Sequence, residues 1–453
     1  MALTPPLPLS RRFVRRGARI SILAAAVLLS TVGACGDETA GKAGAASASP
    51  ATAKVPEAPP QCGAVPAPLS IRVCGRYLVD SHGDAVQLRG VNISGLEAVA
   101  IFGWSPANPW GAQTGDPTPN WKTIKSWGVN AVRLPLNEAS WLGLTCIDEG
   151  GFGVVVANGN KRKNTPGTEI EADPGGNYQS TVAASVAGAS AAGLYVIIDL
   201  HLSAPGKACP MVQNAMANAD HSVDFWTSVA SAFQSYPNVM FELFNEPFLD
   251  QAPVADGDAR EILLKGNGTV KTHLTQGNPS VINVPWRSAG MQQMLDAVRA
   301  TGAHNVILSS TLVYAQAMDE WLKYKPNDPA GQLAAVWHAY PAIGYPTQAS
   351  CWGPPRCSER MMESVLAIQA AGYPVLITEF GDFIGGSTAP WASKLLPFAD
   401  ANGIGYLAWT WDTWSGHAAN VLITDAAGSP TPGYGSYVKA HYLCRAAGKT
   451  DCP

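Results

Sequence analysis

The sequence predicts a (β/α)8 barrel, and three observations carry that prediction. Eight runs of apolar residues recur along the chain: Val86–Asn92, Asn130–Leu136, Tyr195–Leu200, Val239–Asn245, Val306–Ser309, Ala334–Tyr340, Pro374–Glu379 and Gly405–Trp411. The runs are apolar on consecutive positions rather than on alternate ones, as parallel strands covered on both faces must be. Five of them follow a helix-like segment that ends in Gly (Gly128, Gly193, Gly302, Gly372 and Gly403), the residue that closes a helix in the left-handed conformation. No run is followed by GxGxxG or a Walker A sequence, which disfavours an open nucleotide-binding sheet.

The segments before the barrel have their own signatures. Five Arg (Arg11, Arg12, Arg15, Arg16 and Arg19) and no acid stand in the first 20 residues, followed by an apolar run from Ile20 to Val32. A basic region, a short apolar stretch and small residues at its end read as a signal peptide over 1–34. That stretch is shorter than the ~20 apolar residues needed to span a bilayer. Val32-Gly33-Ala34 before Cys35 resembles the lipobox of bacterial lipoproteins, which implies a lipid-modified Cys35 and an exported, surface-anchored protein. Residues 35–60 hold almost nothing but Ala, Gly, Ser, Thr, Pro and a few charges. Such a stretch cannot bury enough surface to fold and reads as a tether. Residues 61–453 show no composition break and read as one catalytic domain, expected to be monomeric.

Composition narrows the function. The chain is 47% apolar and 14% charged, so it can form a core, and its 45 Gly and 35 Pro exclude a coiled coil. The formal charge is −4, and removal of residues 1–34 with their five Arg leaves −9, a balance that disfavours nucleic acid. Besides Cys35 there are eight Cys, an even number that reads as disulfides in an exported chain. Their spacing suggests the pairs 62–74, 146–209, 351–357 and 444–452. No Cys/His group has zinc-site spacing, and neither a metal nor another cofactor is expected.

Chemistry concentrates where the runs end, which in this fold is the active-site face. There stand Asn92, Arg133, His201, Asn245-Glu246, His338, Tyr340, Glu379 and Trp409. Glu246 and Glu379 stand out, because a carboxylate closing an apolar run is costly without a partner. Two opposed carboxylates are what glycoside hydrolysis needs, one to protonate the leaving oxygen and one to attack or to activate water.

Asn245-Glu246-Pro247, Glu379-Phe380-Gly381, and the segments Leu88–Asn92, Ala131–Pro135, Ile197–His201 and Trp337–Tyr340 together resemble glycoside hydrolase family 5, the cellulase family. The resemblance spans roughly residues 75–415. It implies a retaining (β/α)8 hydrolase with Glu246, after strand 4, as acid/base and Glu379, after strand 7, as nucleophile. It further implies that Asn245 binds the sugar 2-hydroxyl, and that Arg133 and Tyr340 hold Glu379 ionised and oriented. His201 and His338 would line the −1 subsite, with Trp409 rather than Trp411 as its stacking floor. Leu202 departs from the pattern, since Trp or Asn often follows the His. The substrate implied is a β-linked polysaccharide, first an endo-β-1,4-glucanase substrate, with mannanase, xylanase and exo-glucosidase action as neighbouring alternatives. The reading from another class is a non-catalytic surface glycan-binding protein.

Two excursions exceed a minimal barrel: the Gly-rich stretch from Cys146 to Asn177 with basic Lys161 to Lys163, and Phe248 to Ala289. Loops after strands carry specificity in this architecture. Of Trp104, Trp110, Trp141, Trp286, Trp352 and Trp414, two or three are expected to touch glycan. Because Glu379 is to be ionised first, its charge is expected to raise the pKa of Glu246.

Overall fold

The computed structural model describes residues 62–98, 101, 119–271, 285–340, 356–382, 389–413 and 421–453, apart from positions 66, 68, 152, 158, 159, 251, 253 and 255. The signal-peptide segment 1–34, Cys35, the tether and Cys351 lie outside these residues, and with them the lipidation site and the 351–357 pairing. No helix among the described residues is long and apolar enough to cross a membrane.

Eight strands close into a barrel. They are β1 (Arg89–Asn92), β2 (Ala131–Asn137), β3 (Tyr195–Leu202), β4 (Val239–Glu242), β5 (Ile307–Ser309), β6 (Leu333–Ala339), β7 (Val375–Phe380) and β8 (Gly405–Ala408). Each pairs in parallel with its neighbour in the chain, and β8 pairs with β1. All eight predicted runs are barrel strands. Helices such as Tyr178–Ala191, Ser222–Phe233 and Ala392–Ala401 lie between them in the chain. Ser222–Phe233 shows the cause: Phe225, Trp226, Val229, Ala230 and Phe233 recur every three to four residues and are buried, so one stripe packs on the sheet. Gly193 follows its helix with φ of 73°, the left-handed end that returns the chain to β3.

Two cores result. The larger lies between strands and helices and includes Val91, Val132, Val196, Phe241 and Trp226. The smaller includes Leu88, Ala131, Ile197, Met240, Leu308, Val336, Leu376 and Leu407, against which Ile71 and Leu78 of a short hairpin pack. Strand alternation carries this second row upward to different residue types. Two positions beyond Ala131 stands Arg133, beyond Ile197 Asp199, beyond Met240 Glu242, beyond Val336 His338, beyond Leu376 Thr378 and beyond Leu407 Trp409. The apolar row fills the barrel and the polar row above it becomes the site.

β4 and β8 end earlier than the apolar runs suggest. After Glu242 the chain changes partners: the Leu243 amide donates to Leu308 O at 3.0 Å, and the Asn245 amide to Leu200 O at 3.1 Å. This crossing from β5 towards β3 sets down Glu246 just past the strand. β7 carries an extra residue, because its register against both β6 and β8 shifts between Ile377 and Phe380.

Three expected disulfides form: Cys62–Cys74, Cys146–Cys209 and Cys444–Cys452. The second ties the excursion after β2 to the loop after β3. That excursion is built of two antiparallel pairs, Thr145–Asp148 with Thr168–Glu171, and Val154–Ala157 with Asn160–Lys163.

Gly90 of β1 has no room for a side chain. A Cβ there would stand 2.6 Å from both Ala131 O and Leu407 Cγ. Gly90→Ala is expected to destabilise the domain by about 1–3 kcal/mol, the usual scale of overpacking, as checked by denaturant unfolding.

Candidate active site

Arg133 is the centre of the site and has no solvent exposure. Its guanidinium reaches Glu379 Oε1 at 2.6 Å, Asp199 Oδ2 at 2.9 Å, and Glu242 through two bonds of 3.0 and 2.9 Å. It also donates to Asn92 Oδ1 at 3.0 Å and Asn245 Oδ1 at 2.9 Å. Only a planar fork with five donors can serve so many acceptors at once. Burial alone would lower its proton affinity, but the three carboxylates outweigh that and raise it well above the ordinary value.

The two predicted carboxylates face each other. An oxygen of Glu246 and an oxygen of Glu379 lie within 4.8 Å, with His338 inside the same radius. Glu379 also accepts the Tyr340 hydroxyl on Oε2 at 2.9 Å. Burial, and next the Glu379 charge, push the Tyr340 phenol well above its ordinary value, so it remains a donor. The bulge in β7 explains how Thr378 and Glu379, adjacent in sequence, both face this centre.

His338 is fully buried, and both of its ring nitrogens are engaged. Nδ1 meets Glu246 Oε1 at 2.8 Å, and Nε2 meets Thr378 Oγ1 at 3.1 Å. The Thr378 hydroxyl in turn donates to Glu242 Oε1 at 3.2 Å. Burial would lower the imidazole's pKa, but Glu379, Glu242 and Glu246 outweigh it and push it up to about 10. The ring is therefore an imidazolium at neutral pH. Glu246, His338 and Glu379 are residue types that bind metals, but each is already engaged here, His338 by Glu246 and Thr378, and Glu379 by Arg133 and Tyr340.

The expected rise of the Glu246 pKa is overturned. Burial does push it up, but the hydrogen bond and charge of His338 and the amide of Gln213 outweigh burial and leave it below the ordinary carboxylate value. The expectation counted the charge of Glu379 and missed the nearer imidazolium. Glu246 and His338 share a 2.8 Å hydrogen bond, so their titration belongs to the pair.

His201 and Trp409 form a flat, half-buried wall, stacked with centroids 5.6 Å apart and planes 8° from parallel. Asp199 orients His201 through Nδ1 at 2.7 Å. Burial lowers the pKa of His201, and Asp199 outweighs it, leaving a net rise. Trp411, on the same alternation as Trp409, is buried against Trp127 with centroids 4.8 Å apart and belongs to the core. Trp141 and Trp286 are also buried, while Trp104, Trp110, Trp352 and Trp414 lie outside the described residues.

Asp199, Glu242, Thr378 and Gln213 were not among the predicted site residues. A signal existed for the first two: an acid inside an otherwise apolar parallel strand needs a buried partner. Gln213 comes from the loop after β3 and gave none.

A closed parallel barrel with opposed carboxylates at the C-terminal ends of its strands defines a glycosidase-like barrel. The chain belongs to the cellulase family, glycosyl hydrolase family 5, whose model matches residues 79–415. It is 26% identical over 177 residues to Endoglucanase MaCel5A of Microbulbifer sp., an alignment covering 39% of this chain and 26% of that one. It is 28% identical over 263 residues to Endoglucanase 1 of Saitozyma flava, covering 52% and 68%. The chain spans about a quarter of the length of the first curated relatives it matches. In fold it is similar to an endocellulase of the archaeon Pyrococcus horikoshii, with a TM-score of 0.54 and 19% identity over 83% of this chain and 98% of that one. It is likewise similar to a β-glucanase of Saccharophagus degradans solved with cellotetraose, with a TM-score of 0.53 and 19% identity over 87% and 98%.

Arg133→Met removes the cation that Asp199 and Glu242 share, and is expected to destabilise the domain by about 3–5 kcal/mol at neutral pH. Arg133 and His338 hold Glu242 below its ordinary value against the opposing effect of burial. The stability Glu242 contributes is therefore present above the unfolded value of about 4.3 and is lost as pH falls through the depressed one. The gap between wild type and variant should narrow in acid, as read by denaturant unfolding at several pH values.

Proposed function

We propose that the chain is a retaining glycoside hydrolase acting on β-1,4-glucan in endo fashion, by double displacement. The observation that carries this reading is the approach of the Glu246 and Glu379 oxygens to within 4.8 Å. Inverting enzymes hold their carboxyls about 6.5–9.5 Å apart to admit a water, whereas about 5–5.5 Å lets one of them attack directly. Family membership and the endoglucanase names of the relatives support the substrate.

In the first step Glu379 attacks the anomeric carbon while the glycosidic C–O bond breaks, and the leaving oxygen takes a proton from Glu246. His338 Nδ1, one hydrogen bond away, is placed to resupply that proton. As the leaving oxygen gains charge, the proton passes through Glu246 and the imidazolium becomes neutral. In the second step Glu246, as carboxylate, takes a proton from water and passes it back to the His338 imidazole, which restores the starting state. The water oxygen bonds to the anomeric carbon, and the bond to Glu379 breaks with its electron pair returning to the carboxylate. Asn245, held by Arg133, is placed to meet the sugar 2-hydroxyl, and the His201–Trp409 wall to meet the face of a sugar ring. Cys35 would carry a lipid and residues 36–60 would serve as the tether, which the lipobox-like sequence supports.

Proton NMR of the nascent reducing end should show the β-anomer first; an α-anomer would overturn retention. Glu379→Gln should lower kcat by more than about 10⁴-fold while substrate still binds.

Replacing Cys35 with Ala should remove the protein from the membrane fraction. Wild-type protein found wholly soluble with an unmodified residue 35 would refute the anchor.

A further inference from the structure

We propose that Gln213 is a positioning residue for the second chemical step, holding Glu246 as the carboxylate that must take a proton from water. The inference rests on the reading of Glu246 as acid/base.

The geometry is specific. Gln213 Nε2 donates to Glu246 Oε2 at 2.8 Å and to the main-chain oxygen of the same residue at 3.0 Å. A carbonyl oxygen can only accept, so the end of the amide that faces Glu246 is its nitrogen. One NH2 group that bridges the backbone and side chain of a single residue closes a ring and fixes that side chain's torsions. A donor to a carboxylate oxygen favours the ionised form over the protonated one.

The loop that presents Gln213 is anchored on several sides. Cys209 is bonded to Cys146. Pro210 O accepts Asn137 Nδ2 at 2.8 Å, and Asn214 Nδ2 donates to Ser203 O at 3.2 Å. Further along, Asn218 and Ser222 donate to the buried carboxyl of Glu138 at 2.8 and 2.5 Å. Gln213 is therefore preorganised rather than drawn in by substrate.

The two oxygens of Glu246 are thus assigned to different partners. His338, from β6, grips Oε1 and carries the proton the first step needs. Gln213 grips Oε2 and favours the proton-free form the second step needs. The other titratable groups facing Glu246 are His201 from β3, Glu379 from β7 and Tyr340 after β6. They act on Glu246 through their charge, whereas Gln213 supplies a directed hydrogen bond to Oε2.

Loss of the amide should slow deglycosylation and spare glycosylation. With a dinitrophenyl β-cellobioside, whose leaving group needs no acid, Gln213→Met should lower kcat about tenfold, the scale of one charge-assisted hydrogen bond. KM should fall by a similar factor because the glycosyl-enzyme accumulates, leaving kcat/KM within about twofold. Azide attacks without a general base, so it should restore kcat. Gln213→Ala, measured in parallel, should behave alike and stands in if the Met variant folds poorly. An unchanged kcat in both variants overturns the proposal. So does a fall in kcat/KM at constant KM with no response to azide, which is what a merely structural loop residue would give. Glu246→Ala with the same substrate separates the two claims. If it shows no azide-responsive turnover, the acid/base reading itself fails; if it does and the Gln213 variants do not, only the role of Gln213 fails.

Discussion

The buried guanidinium of Arg133 is the constraint on which the site depends. Asp199, Glu242 and Glu379 all lie within 3 Å of it. Three carboxylates cannot be gathered at the mouth of an apolar barrel without such a partner, because desolvating a lone charge costs several kcal/mol. The same fork holds Asn92 and Asn245 by their side-chain oxygens, so residues of β1, β2, β3 and β7 and of the β4 region converge on one planar group. The cation is at once the electrostatic counterweight of the site and its template.

A second consequence concerns where protons reside. A general acid is commonly imagined as a carboxyl made reluctant to ionise by a neighbouring negative charge. Here the neighbouring negative charges act first on an imidazole. Glu242 supports it through Thr378 on one side, and Glu246 and Glu379 face it on the other. The hydrogen bond between His338 and Glu246 ties the charge of the one to that of the other. On the proposed mechanism Glu246 is then a carboxylate at rest, the form the second step requires, while His338 supplies the proton for the first.

Much of this was legible in the sequence, for physical reasons that differ from residue to residue. The strands could be read because a parallel strand buried on both faces is apolar at every position, as in Tyr195 to Leu200. Glu246 and Glu379 could be read because a carboxylate ending such a run is anomalous. Glu242 and Asp199 were equally anomalous, but their meaning depended on the barrel, which brings Glu242 to the guanidinium of Arg133, 109 positions earlier in the chain. The sense of the Glu246 shift was misjudged because it depends on whether His338 or Glu379 is nearer, which is a distance and not a pattern. Trp409 and Trp411 share an alternation that would place both on one wall, yet the strand ends at Ala408 and Trp411 turns into the core. Gln213 sits in an aperiodic loop, where no regular repeat marks what a side chain will meet.

The extra residue in β7 reaches further than its local geometry. Thr378 and Glu379 are consecutive, and the bulge lets both point inward, one towards the imidazole and the other towards the guanidinium. Deleting one residue between Val375 and Ile377 would shift the strand by one place, moving Glu379 into the place of Thr378 and Phe380 into that of Glu379. The place of Glu379 is thus set by a strand register, whereas Glu246, past the end of β4, is held by Gln213 and His338. Loops on the rim are then free to lengthen, shorten or change composition over evolutionary time while the reacting groups keep their separation. A barrel built this way can change its rim without moving the groups at its centre.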